Sequence, residues 1–262
     1  MTGQAWLPQG VDAHKPTDAR VHDYALGGKD NYAVDRRYAQ KLVAVLPNIG
    51  RPAVENGKFA RRAIRYLLST GVRQFLEIGC GLPRRANVHD VAGPESRVVY
   101  VDYDPVAVTH YEAVLSGNRS AAVIQADATR PTEILSHPVA GRLIDFEQPV
   151  ALLVTYLFQL IPDEADPARI MREFRAALAP GSHLVLSHVT QEEMAEADVE
   201  AIAEVCEELR EPVRLRSREE VGRLFDGFEL VEPGLVDAPE WRPDRPYRTP
   251  TGWLLAGVGR KP

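Results

Sequence analysis

Residues 74–104 read QFLEIGCGLPRRANVHDVAGPESRVVYVDYD, and this stretch decides the fold class. An apolar run (Phe75, Leu76, Ile78) closes in a Glu-x-Gly-x-Gly turn at Glu77, Gly79 and Gly81. A second run, Val98 to Val101, closes in an acid, Asp102. In an open α/β sheet, such a pair sets a glycine turn beside a carboxylate at the carboxyl ends of two adjacent parallel strands. That crevice is where these sheets bind nucleosides.

The same alternation extends outward. Strands are expected over 74–78, 97–101, 121–125, 149–156 and 183–188, with helices between them, including 105–115 and 167–179. Strand–helix alternation implies right-handed crossovers and a parallel sheet covered on both faces. The end of the chain differs: 227–237 and 253–260 read as two strands with no helix between, a closing antiparallel pair. Helices over 192–210 and 217–225 precede it. Upstream, helical periodicity covers 35–46 and 56–69, where Phe59, Ala63, Ile64, Tyr66 and Leu67 form an apolar stripe. Before these, ARVHDYALGGKDNYAVDRRYA (19–39) is helix-like with a Gly27-Gly28 break, and the residues up to about 16 are polar and loosely held. The division expected is an N-terminal helical extension or lid over 1–70 and a nucleoside-binding core over 71–262.

The glycine turn discriminates between nucleosides. A dinucleotide site needs G-x-G-x-x-G, so that pyrophosphate meets bare backbone N–H groups at a helix start. Here Arg84 takes the third glycine's place and Pro83 removes an N–H. The Gly-Lys-Ser/Thr of a P-loop is missing too. A ribose without a diphosphate fits better, with Gly79 and Gly81 admitting the ligand to the backbone and Asp102 accepting the ribose hydroxyls. With the closing hairpin, this points to S-adenosylmethionine; the alternative is that the two glycines only make a tight strand-to-helix turn. Asp104, before Pro105, reads as a helix N-cap. Asp127 either accepts a hydrogen bond from the adenine amino group or caps a helix beginning near Pro131.

Composition narrows the classes. A chain of 262 residues, 45% hydrophobic, suits one elaborated α/β domain. The net charge of −6 argues against a nucleic-acid substrate. Five of the 31 basic residues are lysines, so single arginines carry little information here. No apolar run is long enough to span a bilayer, and the N-terminus lacks the basic head and apolar stretch of a secretory signal. Cys80 and Cys206 give neither a disulfide framework nor a metal-ligand spacing, and the histidines suggest no metal, so a reducing cytoplasm is the expected compartment. Cys80, inside the turn, reads as structural.

These segments, together with PVALLVTYLFQLIPDEADP, PGSHLVLSH, FELVEPG, PEWRP and GVGRKP, closely resemble a bacterial family of S-adenosyl methyltransferases once grouped as a domain of unknown function. The resemblance implies a Rossmann-like class I methyltransferase sheet, seven-stranded and mostly parallel with an antiparallel last strand. It implies S-adenosylmethionine as cofactor and leaves the acceptor open. The expected cofactor contacts are Tyr24, Gly28, Lys29 and Asn31 from the lid, with Glu77, Gly79, Gly81, Asp102, Tyr103, Asp127, Ala128 and Thr155 from the sheet. The alternative for Gly27-Gly28 is a simple break between two capped helices.

Candidates beside the reacting centre are Tyr156 and His188, at the ends of the fourth and fifth strands, and Gln159. Family members tend to carry a His where this chain has Gln159, which orients by hydrogen bonds but does not act as a base near neutral pH. His188 is a base or a residue bonded to backbone, and Tyr156 lines a pocket or packs. Arg84 and Arg85 either bind an acidic substrate group or are solvated. The partner expected is a small molecule, with no nucleic acid and no membrane, and a homodimer is left open. The rival reading is a non-catalytic S-adenosylmethionine sensor, which a closed crevice beside Gln159 would favour. A nicotinamide oxidoreductase comes third.

Overall fold

A computed structural model describes residues 11–84, 86–208, 213–246 and 249–262. Residues 1–10, Arg85 and the 209–210 end of the helix expected over 192–210 lie outside the described residues. The strands are β1 (Gln74–Ile78), β2 (Arg97–Asp102), β3 (Ala121–Gln125), β4 (Ala151–Thr155), β5 (His183–Val189), β6 (Glu229–Leu230), β7 (Val236–Asp237) and β8 (Leu254–Arg260). They form one sheet in the order β3-β2-β1-β4-β5-β8-β6, with β7 also on β8. β1 to β5 run parallel, and β8 is antiparallel to β5.

Strand side chains alternate between two cores, as a period of two demands. Leu76, Val99, Leu152 and Leu184 face one side, against Ile170 and Phe174 of α8 (Pro167–Ala177). Phe75, Val98, Leu153 and Val185 face the other, against Phe59, Ala63 and Leu67 of α3 (Gly50–Ser69). Every residue of β1, β4 and β5 is buried, and each large aliphatic side chain so placed contributes about 1.5–3 kcal/mol.

The strand expected over 227–237 is split. Leu230 lies opposite Gly259 and Val236 opposite Ala256, so the seven residues 230–236 on one side answer the four residues 256–259 on the other. The surplus around Pro233–Gly234 loops out, and the seven strands expected become eight. β4 ends at Thr155 rather than 156 because Tyr156 turns into the left-handed region at φ 60°. α3 begins at Gly50 rather than 56. Pro52 is tolerated in its first turn, where no intrahelical carbonyl waits for an N–H.

Two further helices precede α3: α1 (Asp18–Ala25) and α2 (Ala33–Val45). The Arg20–Asp35 ion pair joins them at 2.9 Å with both side chains buried. α2 in turn packs on α9 (Glu196–Cys206). Among the described residues, no helix is long and apolar enough to cross a membrane.

Candidate functional site

The glycine turn sits at the carboxyl end of β1. Gly79 and Gly81 adopt φ of 67° and 63°, where a side chain is strained. A Cβ at Gly79 would also meet Leu157 at 2.5 Å, whereas one at Gly81 would have no atom within 4 Å. The Gly79 and Cys80 N–H groups donate to the Val101 carbonyl (2.8 and 3.1 Å), which pins the turn to β2. The Gly81 N–H donates to Asp102 Oδ2 (2.8 Å), and the Asp104 N–H to Asp102 Oδ1 (2.9 Å). Burial pushes the Asp102 carboxyl up to about 6, partly offset by these N–H donors.

Above the turn opens a cleft of about 670 Å³. α1 and the loop after it form one wall, with Asp18, His22, Asp23 and Gly28; α3 contributes Asn56 and Arg61. The sheet contributes Glu77, Gly79, Gly81, Thr155 and Tyr156. Burial raises Glu77 to about 7; Arg84 at 3.4 Å counteracts this and Asp102 adds to it. Asp18 is also raised to about 7, by burial and then by Asp102. His22 is lowered to about 3, by burial and then by Arg84, so it is neutral at physiological pH.

A second, mostly apolar chamber of about 390 Å³ lies behind the first and shares Asp18, His22, Ala53 and Tyr156 with it. Tyr156 stands in the common wall, its ring 5.3 Å from that of His22. Its N–H donates to the carbonyl and Oγ of Ser187 (3.1 and 3.0 Å), and the Ser187 hydroxyl donates to Asn56 Oδ1 (2.6 Å). The left-handed backbone of Tyr156 is thus fixed from β5 and α3, the kind of restraint under which strain persists at a site. Gln159 lines the chamber, and its Nε2 donates to the Tyr156 carbonyl (2.7 Å).

Of the residues expected to touch a nucleoside cofactor, the structure brings Gly28, Glu77, Gly79, Gly81 and Thr155 to the cleft. Asp102 lies beneath the turn it secures and is 6% exposed. Tyr24 lines the apolar chamber instead. Lys29 is exposed, and Asn31 is buried with its Nδ2 donating to Asp23 Oδ2 and the Gly28 carbonyl. Residues between 18 and 30 line the cleft, but Tyr24, Lys29 and Asn31 are not among them. Asp127 is exposed and closes its own turn, accepting from the N–H and hydroxyl of Thr129 (2.8 Å each). Ala128 packs against the core, and the Tyr103 carbonyl accepts from Gln125 Nε2. Asp104 caps α5 (Pro105–Val114), accepting from the Val106 N–H (2.8 Å).

His188 lines neither cavity. It is fully buried, with Nδ1–H donating to the Val189 carbonyl (2.6 Å) and Nε2 accepting from Arg216 Nη1 (3.0 Å). Burial lowers it to about 4. Arg216 also donates to the carbonyls of Phe158 and Ile161, so the pair secures the chain after β4. Asp18, His22 and Asn56 were not singled out in the sequence as site residues. The signal available was the i, i+4 spacing of Asp18 and His22 on one helix face.

Over residues 4–262 the chain matches the model of a family described as S-adenosyl methyltransferase. A crystal structure from Thermobifida fusca YX, of a protein assigned as a methyltransferase, is 40% identical with a TM-score of 0.91, covering 98% of this chain and 99% of that one. A DUF574 family protein from Streptomyces avermitilis MA-4680 is 34% identical with a TM-score of 0.89, covering 96% and 99%. An S-adenosylmethionine-dependent methyltransferase from Methanosarcina mazei shares the fold at 17% identity and a TM-score of 0.51, covering 72% and 92%. None of the curated proteins matches the chain.

Proposed function

Because the chain belongs to the S-adenosyl methyltransferase family and is an S-adenosylmethionine-dependent enzyme, we propose that its methyl acceptor is a small molecule seated in the apolar chamber, beside cofactor held in the glycine-turn cleft. The observation that carries this reading is the pair of cavities meeting at Tyr156.

The residues of the cleft fit the cofactor. A Cβ at Gly81 would project into free space, so the turn leaves room for a ligand at its backbone. The lining holds four acids (Asp18, Asp23, Asp30, Glu77) against two arginines (Arg61, Arg84), which suits a ligand bearing a sulfonium and an ammonium. When bound, S-adenosylmethionine supplies an electrophilic methyl group. What the chain contributes is orientation and exclusion of water. Glu77 and Asp18 favour the cation, and α1 covers it. Tyr156, held by Ser187 and Asn56, fixes the boundary across which acceptor and cofactor meet. A non-catalytic sensor gains no support, since a chamber opens beside Gln159 where that reading expects a closed crevice.

The test has two arms. At 100-fold saturation, S-adenosylhomocysteine is expected to stabilise the fold by about 2.7 kcal/mol, roughly 5–10 °C in Tm, while NAD leaves Tm unchanged. A shift with NAD alone overturns the cofactor assignment. With methyl-tritiated cofactor and a bacterial extract, label is expected in the low-mass fraction; label in RNA, DNA or protein overturns the small-molecule acceptor.

A further inference from the structure

The chamber behind Tyr156 is asymmetric in charge. Its volume of about 390 Å³ lies in the lower range for small-molecule sites. Aliphatic side chains such as Leu42, Ile202 and Leu215 cover most of it. Among the described residues, Asp18 is its charged lining residue and no lysine or arginine reaches it. An anionic ligand would be buried there against a carboxylate, with nothing to compensate.

The polar lining sets hydroxyl and N–H residues (His22, Tyr24, Tyr38, Tyr156, Trp253) beside two groups that accept, Asp18 and Gln159. Gln159 is 1% exposed, and its Nε2 is engaged by the Tyr156 carbonyl at 2.7 Å. That bond sets the amide's orientation, because a flip would bring two carbonyl oxygens together. Gln159 Oε1 then has no donor among the described residues. Buried acceptors are normally satisfied, so one left open at a cavity wall asks for a donor the chain does not supply. Asp18 is likewise an acceptor when ionised, and it is partly exposed into the same space.

We propose that this chamber binds a hydrophobic amine, its N–H groups shared between Gln159 Oε1 and the Asp18 carboxylate. An ammonium brings three N–H donors and a charge opposite to that of Asp18, whereas an alcohol brings one donor without charge and a carboxylate no donor at all. The rings of Tyr38, Tyr156 and Trp253 also line the chamber and suit an ammonium nearby. The proposal rests on the methyltransferase reading only in making this amine the methyl acceptor: the ammonium gives one proton to the Asp18 carboxylate, the freed lone pair forms the N–CH3 bond as the S–CH3 bond of the cofactor breaks, and S-adenosylhomocysteine leaves; the binding site stands without it.

The ionisable groups around Asp18 come from several elements. His22 lies one turn along its own helix, Asp102 faces it from β2, Tyr156 from the end of β4, Tyr38 from α2 and Cys206 from α9. His22 stays neutral above about 3, and burial raises the two tyrosines and Cys206. Over pH 5.5 to 8, the groups of this set that change charge are Asp18 and Asp102, at about 7 and about 6. Both become negative as pH rises, so amine binding should strengthen across that range.

Calorimetry with three probes on one skeleton tests this: tryptamine, tryptophol and indoleacetate. Tryptamine is expected to bind about tenfold or more tighter than tryptophol at pH 8, with no binding of indoleacetate. Its affinity should fall about tenfold at pH 5.5. Asp18→Asn should bring tryptamine and tryptophol level and flatten the pH profile, and Gln159→Leu should weaken both. Circular dichroism checks that each variant is folded, and the wild-type probe series and pH profile decide the matter if one is not. Indoleacetate binding as tightly as tryptamine, or an amine preference surviving Asp18→Asn, overturns the proposal. Titrating S-adenosylhomocysteine into the same samples separates the two readings. Loss of its binding in the wild type would sink the cofactor assignment while leaving the amine site standing. Because Asp18 lines both cavities, Asp18→Asn is expected to weaken both ligands, and unchanged tryptamine binding in that variant, whatever happens to S-adenosylhomocysteine, would overturn the proposal.

Discussion

Glu77 shows at the scale of one residue how this site trades stability for binding. Its carboxyl is 4% exposed, with Arg84 at 3.4 Å as a partial counter-charge. Burial nevertheless lifts it from 4.5 to about 7. A carboxyl raised on folding holds its proton more tightly in the native state. The contribution of this group to stability is therefore full below about pH 4.5 and is lost as pH climbs through about 7. By pH 8 the ionised group costs on the order of 3 kcal/mol. Glu77→Gln mimics the neutral form, so urea denaturation should find the ligand-free variant more stable than wild type at pH 8, by up to about 3 kcal/mol, and equal to it at pH 4. The same variant should bind S-adenosylmethionine more weakly. A stability gain of the same size at both pH values would refute the burial argument. The position was legible in the sequence, because Glu-x-Gly-x-Gly marks a strand end. Asp102 was legible as a neighbour of the turn but not as its anchor, since the Gly81 N–H donating to it depends on how the loop curls.

At the scale of the element, α1 is the wall common to the cleft and the apolar chamber. It carries Asp18 and His22 on its inner face, one turn apart. Its attachment is polar: Asp35 of α2 accepts from Arg20 Nε (2.9 Å), the Thr17 N–H (3.2 Å) and the Tyr32 N–H (2.7 Å). Removing one partner of a buried, hydrogen-bonded pair leaves the other uncompensated, typically at 3–5 kcal/mol. Asp35→Ala should therefore release α1 and α2 without opening the sheet. Hydrogen exchange is expected to show lost amide protection in both helices with protection in β4 and β5 retained, and affinity for S-adenosylhomocysteine should drop with it. Uniform loss across the chain would mean that α1 and α2 fold as one unit with the sheet. The Gly27-Gly28 break marks in the sequence the loop between α1 and α2, yet it directs attention to Tyr24, Lys29 and Asn31 in and around that loop. The inward-facing residues sit on the helix before it, and helix rotation relative to a distant sheet is set by packing that a local pattern does not encode.

Over the whole molecule, the sheet was readable because buried parallel strands are short apolar runs closed by turn residues, and their alternation sorts side chains into two cores. The apolar chamber was not readable: α1, α2, α3, the end of β4 and α9 each contribute a few residues, and only tertiary convergence brings them together. That convergence also buries charge on a scale that should appear in binding. Asp18, Glu77 and Asp102 are raised to about 7, 7 and 6, while His22, His183 and His188 are lowered to about 3, 4 and 4. The acids make the native state bind more protons than the unfolded one between about pH 4 and 7, so their contribution falls as pH rises. The histidines make it bind fewer between about pH 3 and 6.5, so theirs grows. The two sets largely offset each other, leaving the ligand-free fold with a shallow pH dependence. A cationic ligand breaks the balance, because it favours the ionised acids in the cleft and leaves the neutral histidines alone. Binding of S-adenosylmethionine should therefore release about one to two protons near pH 6.5 and almost none at pH 8.5, where Asp18 and Glu77 are already ionised. S-adenosylhomocysteine, which lacks the sulfonium charge, should release fewer. Titration calorimetry in two buffers of different ionisation enthalpy counts these protons directly. Proton uptake near pH 6.5, or equal release at both pH values, would mean that the acids of this cleft do not face the bound cation.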